Sequence, residues 1–318
     1  VVAIATICDQ MPLRRLNKSI VINGLQNFSW NNFINLKKLI KVNHKLRTSD
    51  ISFTLGPILN SASRLGYPNL PFRFLIENKN TIINKTIKKL LMLNEKRKKI
   101  QNKNIDLLNI NEVENKNKII FKFKENINEG LLGIIAAKFV EFYNKPSFIL
   151  TNSGNVIKCS SRSINGYDIG NIFYLAAKKN IIIRGGGHSM AGGCTLKKDR
   201  LNDFKNFLNL YYIKKFNIFE NIKFYISEQK LDSLLKFAKQ DLQYLEPLGN
   251  NNTSPLFFLR SNKIIKIKII NDLHLQLIIK NKNNKSCVCF AFHSIGTKLG
   301  HLLMNYKNEI DLIVQINN

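Results

Sequence analysis

The sequence predicts an α/β protein whose last third changes to short strands, and three patterns carry that prediction. Between residues 112 and 215, apolar runs of strand length alternate with helical periodicities, the signature of a sheet flanked by helices. Between residues 80 and 110, Ile83, Ile87, Leu90, Leu91 and Asn94 fall near one helical face with lysines opposite. No Pro or Gly interrupts that stretch, which predicts one long connecting helix with a solvated lysine face. Beyond about residue 217 the rhythm becomes short runs at 256–260, 264–270, 274–280, 287–292 and 310–316 behind one helix at 231–244. Five such strands suit a small closed barrel.

In chain order, Val1 to Cys8 reads as a buried strand ending in the carboxylate of Asp9, and helical periodicity follows around 20–28 and 33–40. A strand is predicted at 119–123. Asn128 can cap a helix over 130–143, which Asn144-Lys145-Pro146 stops. Strands at 146–151 and 156–159 flank the turn Ser153-Gly154-Asn155. Asp168 can cap a helix to Lys179, and Ile181-Ile182-Ile183 reads as a buried strand breaking into a glycine-rich turn. A strand at 194–196 and a helix from Asp199 or Asn202 to Leu210 complete the segment. The divisions drawn are 1–75, 76–111, 112–215 and 216–318.

Composition limits the functional classes. The 318 residues hold 49 Lys and Arg against 21 Asp and Glu, a formal charge of +28. Such a field attracts polyanions and supports salt-sensitive nucleic-acid binding. The abundance of Lys, Asn and Ile also fits an AT-rich genome, so charge alone gives no specificity. No run approaches the ~18 uncharged apolar residues of a membrane span, and the N-terminus is no signal peptide. Cys8, Cys159, Cys194, Cys287 and Cys289 lie in apolar runs without paired metal-ligand spacing. They read as reduced core thiols of a cytoplasmic protein rather than disulfides or a zinc site. Cys287 and Cys289 alternate onto one face of a strand.

Four segments carry chemistry. Gly185-Gly186-Gly187-His188-Ser189-Met190-Ala191-Gly192-Gly193 frees the backbone for close approach to a ligand and delivers one imidazole to the same place. On local pattern it fits a phosphate contact or an ordinary glycine-rich turn. Lys158-Cys159-Ser160-Ser161-Arg162-Ser163 sets hydroxyls around one guanidinium, whose planar fork fits two phosphate oxygens. In a chain rich in Lys and poor in Arg, Arg64, Arg162 and Arg184 all fall in or beside Gly/Ser-rich turns, where bidentate phosphate recognition would require Arg. The third segment, Gly56 to Gly66, brackets Asn60 and Arg64 with small residues. The fourth is Asp9, a metal ligand or a plain turn cap.

These segments, in this order, resemble the RecJ family of single-stranded-DNA exonucleases within the DHH phosphoesterase superfamily. Ala3 to Leu13 with Asn17 and Gly24-Leu25 looks like that family's last metal-binding segment. Leu55 to Gly66 looks like its Gly-Pro-Arg-x-Asn-Ala-x-Gly-Arg turn. Glu129 to Pro146 looks like the helix opening its DHH-associated domain, and the two segments around Ser160 and Gly186 like that domain's substrate motifs. Leu245-Glu246-Pro247-Leu248-Gly249 with Pro255 and Phe257 resembles the entry to its oligonucleotide-binding (OB) barrel. The resemblance implies the C-terminal part of a DHH catalytic domain over 1–75, a connecting helix, a DHH-associated domain and an OB-like β-barrel.

It further implies 5′-to-3′ removal of mononucleotides from single-stranded DNA, with two Mn²⁺ or Mg²⁺ ions, in repair and recombination. Asp9 would be the catalytic metal ligand. Asn60, Arg64, Ser160, Arg162, Gly186, Gly187 and His188 would hold phosphate or backbone. Phe257, Phe258, Phe290 and Phe292 are available for base stacking. The expected protein is a monomer with single-strand-binding or helicase partners. No Asp-His-His run occurs and Asp9 is the sole match to a family metal ligand, so a fragment inactive alone is expected. The sequence departs from the family pattern at Ile58, Ser63, Ser161, Ile127-Asn128 and Leu248 to Asn252. Two other functions stay open: a DHH-type phosphoesterase of short oligonucleotides or cyclic dinucleotides, and a non-catalytic single-strand-binding relative.

Overall fold

The structure is a computed structural model and describes residues 1–42, 44–108, 117–215, 225–306 and 308–316. Its helices are α1 (Val2–Cys8), α2 (Arg15–Gln26), α3 (Ile34–Ile40), α4 (Thr48–Asp50), α5 (Gly56–Arg64), α6 (Leu70–Ile76), α7 (Asn80–Leu107), α8 (Glu129–Tyr143), α9 (Ile169–Lys178), α10 (Leu201–Lys215), α11 (Leu231–Gln240) and α12 (Lys298–Asn305). Its strands are β1 (Ile120–Phe123), β2 (Ser147–Ser153), β3 (Val156–Arg162), β4 (Arg184–His188), β5 (Ala191–Lys197), β6 (Ser227–Gln229), β7 (Leu256–Ile270), β8 (His274–Lys280), β9 (Ser286–Ala291) and β10 (Ile310–Gln315). The described elements up to Leu107 are all helical, and helices and strands mix from β1 onward, so the fold is α/β with a β-rich end. The expected divisions at 111/112 and 215/216 fall on or beside residues outside the description.

The chain forms two compact units. One comprises Val1–Phe28, Lys45–Ile51 and Asn221–Asn318; the other comprises Ser29–His44 and Ser52–Glu220. In the second, five strands order as β1-β2-β3-β5-β4, with β1 and β2 parallel and the remaining pairs antiparallel. Helices α9 and α10 pack Ile172, Phe173, Phe204 and Leu208 on one face against Phe148, Leu150, Ile157 and Leu196. Helix α8 covers the other face over β1 to β3 with Leu131, Leu132, Ile135 and Phe139, joined by Ile105 of α7. Asn128 Oδ1 accepts from Gly130 N at 2.9 Å and starts α8; Asn144 in the left-handed conformation ends it.

In the first unit, β10-β7-β8-β9 form an antiparallel sheet and β6 adds to β7 in parallel. Its interior holds Phe257, Leu259, Leu275, Leu277 and Ile279, closed by Leu231 and Leu234 of α11 and Leu303 of α12. The loop after α11 grips the start of the chain: Leu13 N donates to Asn250 O at 2.8 Å, and Arg14 Nε donates to Asn251 O at 3.0 Å. A Cβ on Gly249 would come within 2.7 Å of Leu13 Cδ1, so glycine permits this approach.

Several expectations are corrected. Residues Val2–Cys8 form a helix, not a strand; Ala3, Thr6 and Ile7 are buried at helical spacing, and a short apolar run does not distinguish the two by periodicity. Gly56 to Arg64 is a helix rather than a turn, because Pro57 sits in the first turn, where its missing N–H is harmless. The strand near the glycines is the run Arg184–His188 itself, not 181–183. Cys8 is helical. Runs 256–260 and 264–270 are one strand, β7, carrying a register shift between Ile264 and Lys266 in its pairing with β8. The helix at 231–244 ends at Gln240 and continues as a 3-10 turn over Leu242–Leu245. All five cysteines are free, and Cys287 and Cys289 share a face with their sulfurs 3.7 Å apart.

Candidate nucleic-acid interface

Strand alternation decides which side chains of β3, β4 and β5 share a surface. Arg162 lies opposite Ala191, which lies opposite His188; Ser160 lies opposite Gly193, which lies opposite Gly186. Directly paired residues of antiparallel strands point to one side. Arg162, Ser160, Gly186 and His188 therefore occupy one face, the face α8 covers only as far as β3. The two motifs, separated by some twenty residues, meet there. Arg162 and His188 are two strand spacings apart, about 10 Å between Cα atoms.

The face is floored by glycine for different reasons at different positions. A Cβ on Gly192 would meet Ile169 Cγ2 at 2.7 Å and Phe173 Cε2 at 2.9 Å, so that glycine is needed for packing on the opposite, apolar side. A Cβ on Gly187 would lie 2.3 Å from Ala191 O, a close approach between strands. A Cβ on Gly186 would meet nothing within 4 Å. Nothing inside the described fold requires the absence of a side chain at Gly186, so its bare backbone is presented outward. His188 is exposed at the end of β4.

Arg64 connects Arg162 to a third guanidinium group, since its charge acts on both Arg162 and Arg97. Arg64 Nη1 donates to Gly130 O at 3.0 Å, tying α5 to the first turn of α8. A Cβ on Gly130 would come within 2.5 Å of Arg64 O, and one on Gly133 would lie 3.1 Å from both Arg162 Nη2 and Ser160 Oγ. Two glycines one turn apart thus bring the positive end of α8 onto Arg64, Ser160 and Arg162. Arg162 Nη1 donates to Ser161 O at 2.8 Å. Asn60 lies one turn before Arg64 on the same face of α5.

The third group, Arg97, was missed from the sequence. Its Nη1 donates to Gln101 Oε1 and its Nη2 to Asn94 Oδ1, each at 3.0 Å, while its buried Nε has no partner. Burial lowers the pKa values of Arg64, Arg162 and Arg97 from the usual guanidinium value, and the charge of Arg64 adds to the effect on both others. Glu95 opposes it weakly at Arg97, but its carboxylate is engaged by Lys98 at 2.8 Å. None of the ion pairs among the described residues uses any of the three arginines. Three desolvated like charges without a carboxylate cost free energy unless an anion joins them. The available signal was Arg97 itself, a single Arg on a helix whose other basic residues are all lysines.

The sequence departures find places in this arrangement. Ile58 is buried in the core. Ser161 lies on the apolar side, where its hydroxyl donates to Gly192 O at 3.1 Å. Asn128 is the cap of α8.

Asp9 belongs to the other unit and sits exposed at the C-terminal end of α1. Among the described residues no group of three or more His, Cys, Asp or Glu side chains could hold a metal ion. A pair of divalent ions needs bridging and flanking carboxylates or imidazoles, and one aspartate does not meet that demand. The described residues therefore do not fit the expected two-metal centre. No described helix is long and apolar enough to cross a membrane.

The sheet of β6 to β10 carries its own polar face. Phe290 and Phe292 are half-exposed and stack with ring centroids 5.8 Å apart at 12°. Lys268 lies two strands across from Phe290, and Lys266 across from Val288. Phe257 is core and Phe258 stacks on Tyr225 at 5.1 Å, so neither belongs to that face.

The chain is similar to known proteins along most of its length. Residues 115–214 match the DHHA1 domain family and residues 227–318 the RecJ OB domain family. The single-stranded-DNA-specific exonuclease RecJ of Bacillus subtilis is 27% identical over 310 residues, covering 91% of this chain and 38% of its own length. That of Thermus thermophilus is 23% identical over 258 residues, again 38% of its length. The crystal structure of the Thermus thermophilus protein with Mn²⁺ superposes with a TM-score of 0.81 at 22% identity, over 99% of this chain and 46% of that one. The chain spans less than half the length of these relatives. The chain thus carries a DHHA1 domain followed by a RecJ OB domain, and RecJ proteins align with it along nearly all of its length.

Proposed function

We propose that this chain grips the 5′-phosphorylated end of a single-stranded DNA for a 5′-to-3′ exonuclease that releases mononucleotides. The observation that carries the proposal is the set of Arg64, Arg97 and Arg162, three partly buried guanidinium groups, none ion-paired with a carboxylate, with Arg64 and Arg162 beside Ser160 and the start of α8. A terminal phosphate supplies the missing negative charge, and the guanidinium forks and the Ser160 hydroxyl give it donors on several sides. Gly186 and His188 form the floor over which the following nucleotides run. The Phe290–Phe292 stack offers π-faces with lysines alongside, a sequence-tolerant hold on single-stranded bases.

The role of these residues is binding and orientation. The relatives' names state that they act on single-stranded DNA, and the Thermus thermophilus protein was crystallised with Mn²⁺. A metal-dependent hydrolysis in this protein would draw its metal ligands from residues other than those described, so the 318 residues alone bind strands without cutting them. Any role in repair or recombination, protein partners and a cytoplasmic location follow from the same reading.

The test compares a short deoxyoligonucleotide bearing a 5′ phosphate with the same strand bearing a 5′ hydroxyl, using anisotropy of a 3′ label. Tighter binding of the phosphorylated strand by about tenfold or more is expected, since a hydrogen bond to a charged group contributes ~1.5–3 kcal/mol. Equal binding of the two strands overturns the proposal. Release of labelled mononucleotides by the chain with Mn²⁺ would refute its inactivity.

A further inference from the structure

The face bearing Arg162 and His188 continues past Ser160 and Gly186. Two residues further along β3 and β4 stand Lys158 and Arg184, opposite each other across Thr195. Alternation puts them on the same side of the sheet as the residues already described. Lys158 is half-buried and its ammonium donates to Thr195 Oγ1 at 3.1 Å, which holds it over β5. Arg184 is exposed on the edge strand. Together with Gly185, Gly193 and Thr195 they line an open concavity of about 400 Å³ whose lining contains no carboxylate.

Spacing gives this second basic row a meaning. From the Arg162/His188 row to the Lys158/Arg184 row is four residues along each strand, about 13 Å at ~3.3 Å per residue. Stacked nucleotides advance about 3.4 Å each, so the interval takes roughly four steps of a fully stacked strand and fewer of a stretched one, and the three phosphate-to-phosphate steps of a tetranucleotide span it when partly extended. Between the rows lie Ser160, Gly193 and Gly186, and above Gly186 the first 4 Å are clear.

We infer that Lys158 and Arg184 form a second phosphate subsite that makes this face select strands of about four nucleotides or longer over dinucleotides. The inference rests on the reading of the arginine cluster as the holder of the terminal phosphate. A dinucleotide reaches only the first row. A longer strand reaches both, and the second contact forms at the high effective concentration set by the first. Length discrimination is then a property of sheet geometry.

The experiment measures binding of 3′-labelled, 5′-phosphorylated oligonucleotides of two, four and eight nucleotides to the full chain and to K158Q/R184Q. The natural chain should gain about tenfold in affinity from two to four nucleotides. In the variant that gain should shrink to less than about twofold, with dinucleotide affinity unchanged. The salt slope for four nucleotides should fall by about 1.4, since each phosphate contact on a single strand contributes ~0.7. Arg184→Gln alone, on an exposed edge, should lower the slope by ~0.7 and guards against misfolding of the double variant. An unaltered step from two to four nucleotides, or equal weakening at both lengths, overturns the inference. A 5′-phosphate preference with no length step sinks this inference alone; no phosphate preference at any length sinks the arginine-cluster reading and this one with it.

Discussion

The two sides of the β1–β5 sheet are built from alternate residues of the same strands, and they differ in almost every respect. On one side Phe148 meets Tyr167, Phe173 and Phe204 edge-on with centroids 6.2–6.3 Å apart, under a full cover of α9 and α10. On the other, Lys158, Ser160 and Arg162 line up beside a glycine floor that α8 leaves open beyond β3. A one-residue step changes the environment from a dry aromatic cluster to a basic surface. The two-residue pleat lets one strand serve stability and recognition at once, so substitutions on the two sides should separate those properties.

The largest expected effect is on the closed side. Phe148→Ala should destabilise the chain by ~3–5 kcal/mol, read as a lower midpoint in urea. What remains folded should still prefer a 5′ phosphate; loss of that preference would break the comparison. Next, Arg162→Ala should weaken binding of a phosphorylated strand by roughly tenfold to a hundredfold, corresponding to ~1.5–3 kcal/mol. Its urea midpoint should stay equal or rise, because a desolvated cation that repels Arg64 is removed. A marked fall in that midpoint would mean the guanidinium serves packing instead.

Gly186→Val sharpens the contrast between neighbouring glycines. With open space above it, valine should leave the melting temperature unchanged or slightly raised, while oligonucleotide affinity falls about tenfold. Gly192→Val should do the reverse, collapsing stability through Ile169 and Phe173. A smaller effect is expected with pH. Arginine stays charged throughout the range of interest, whereas a phosphate monoester takes its second charge near pH ~6. Affinity for the phosphorylated strand should therefore rise by about threefold from pH 5 to 7 and then stay level to pH 9. The smallest is an absence of effect: Mn²⁺ should not shift the unfolding midpoint of the chain, because its described residues supply no ligand cluster.

Much of this fold was legible because caps and breakers act locally. Asn128, Asp168 and Asn144 mark helix ends from the sequence, and the structure shows their side chains or backbone doing so. The long helix α7 followed from an uninterrupted pattern. What failed was what depends on tertiary context. Val2–Cys8 is too short for its periodicity to identify it, and burial of Ala3, Thr6 and Ile7 decided for helix. The glycine run looked like a turn because three glycines usually break a strand. Here β5 supplies backbone partners that hold Arg184–His188 extended. For the interface, Arg64, Ser160 and Arg162 were visible as arginine and hydroxyls in small-residue company. Arg97 was hidden, because it comes near Arg64 only through the packing of α7 against α5.

The bare edge of β4 has a cost of its own. It ends the strand order, and its three central residues carry no side chain to deter a second sheet from pairing alongside. Only Arg184 and His188 bracket that stretch, helped by the repulsion of a chain with a formal charge of +28. Added salt weakens both safeguards. Self-association through this edge should grow with ionic strength while oligonucleotide binding declines, so the glycines that welcome a ligand also set how concentrated the protein can become in brine.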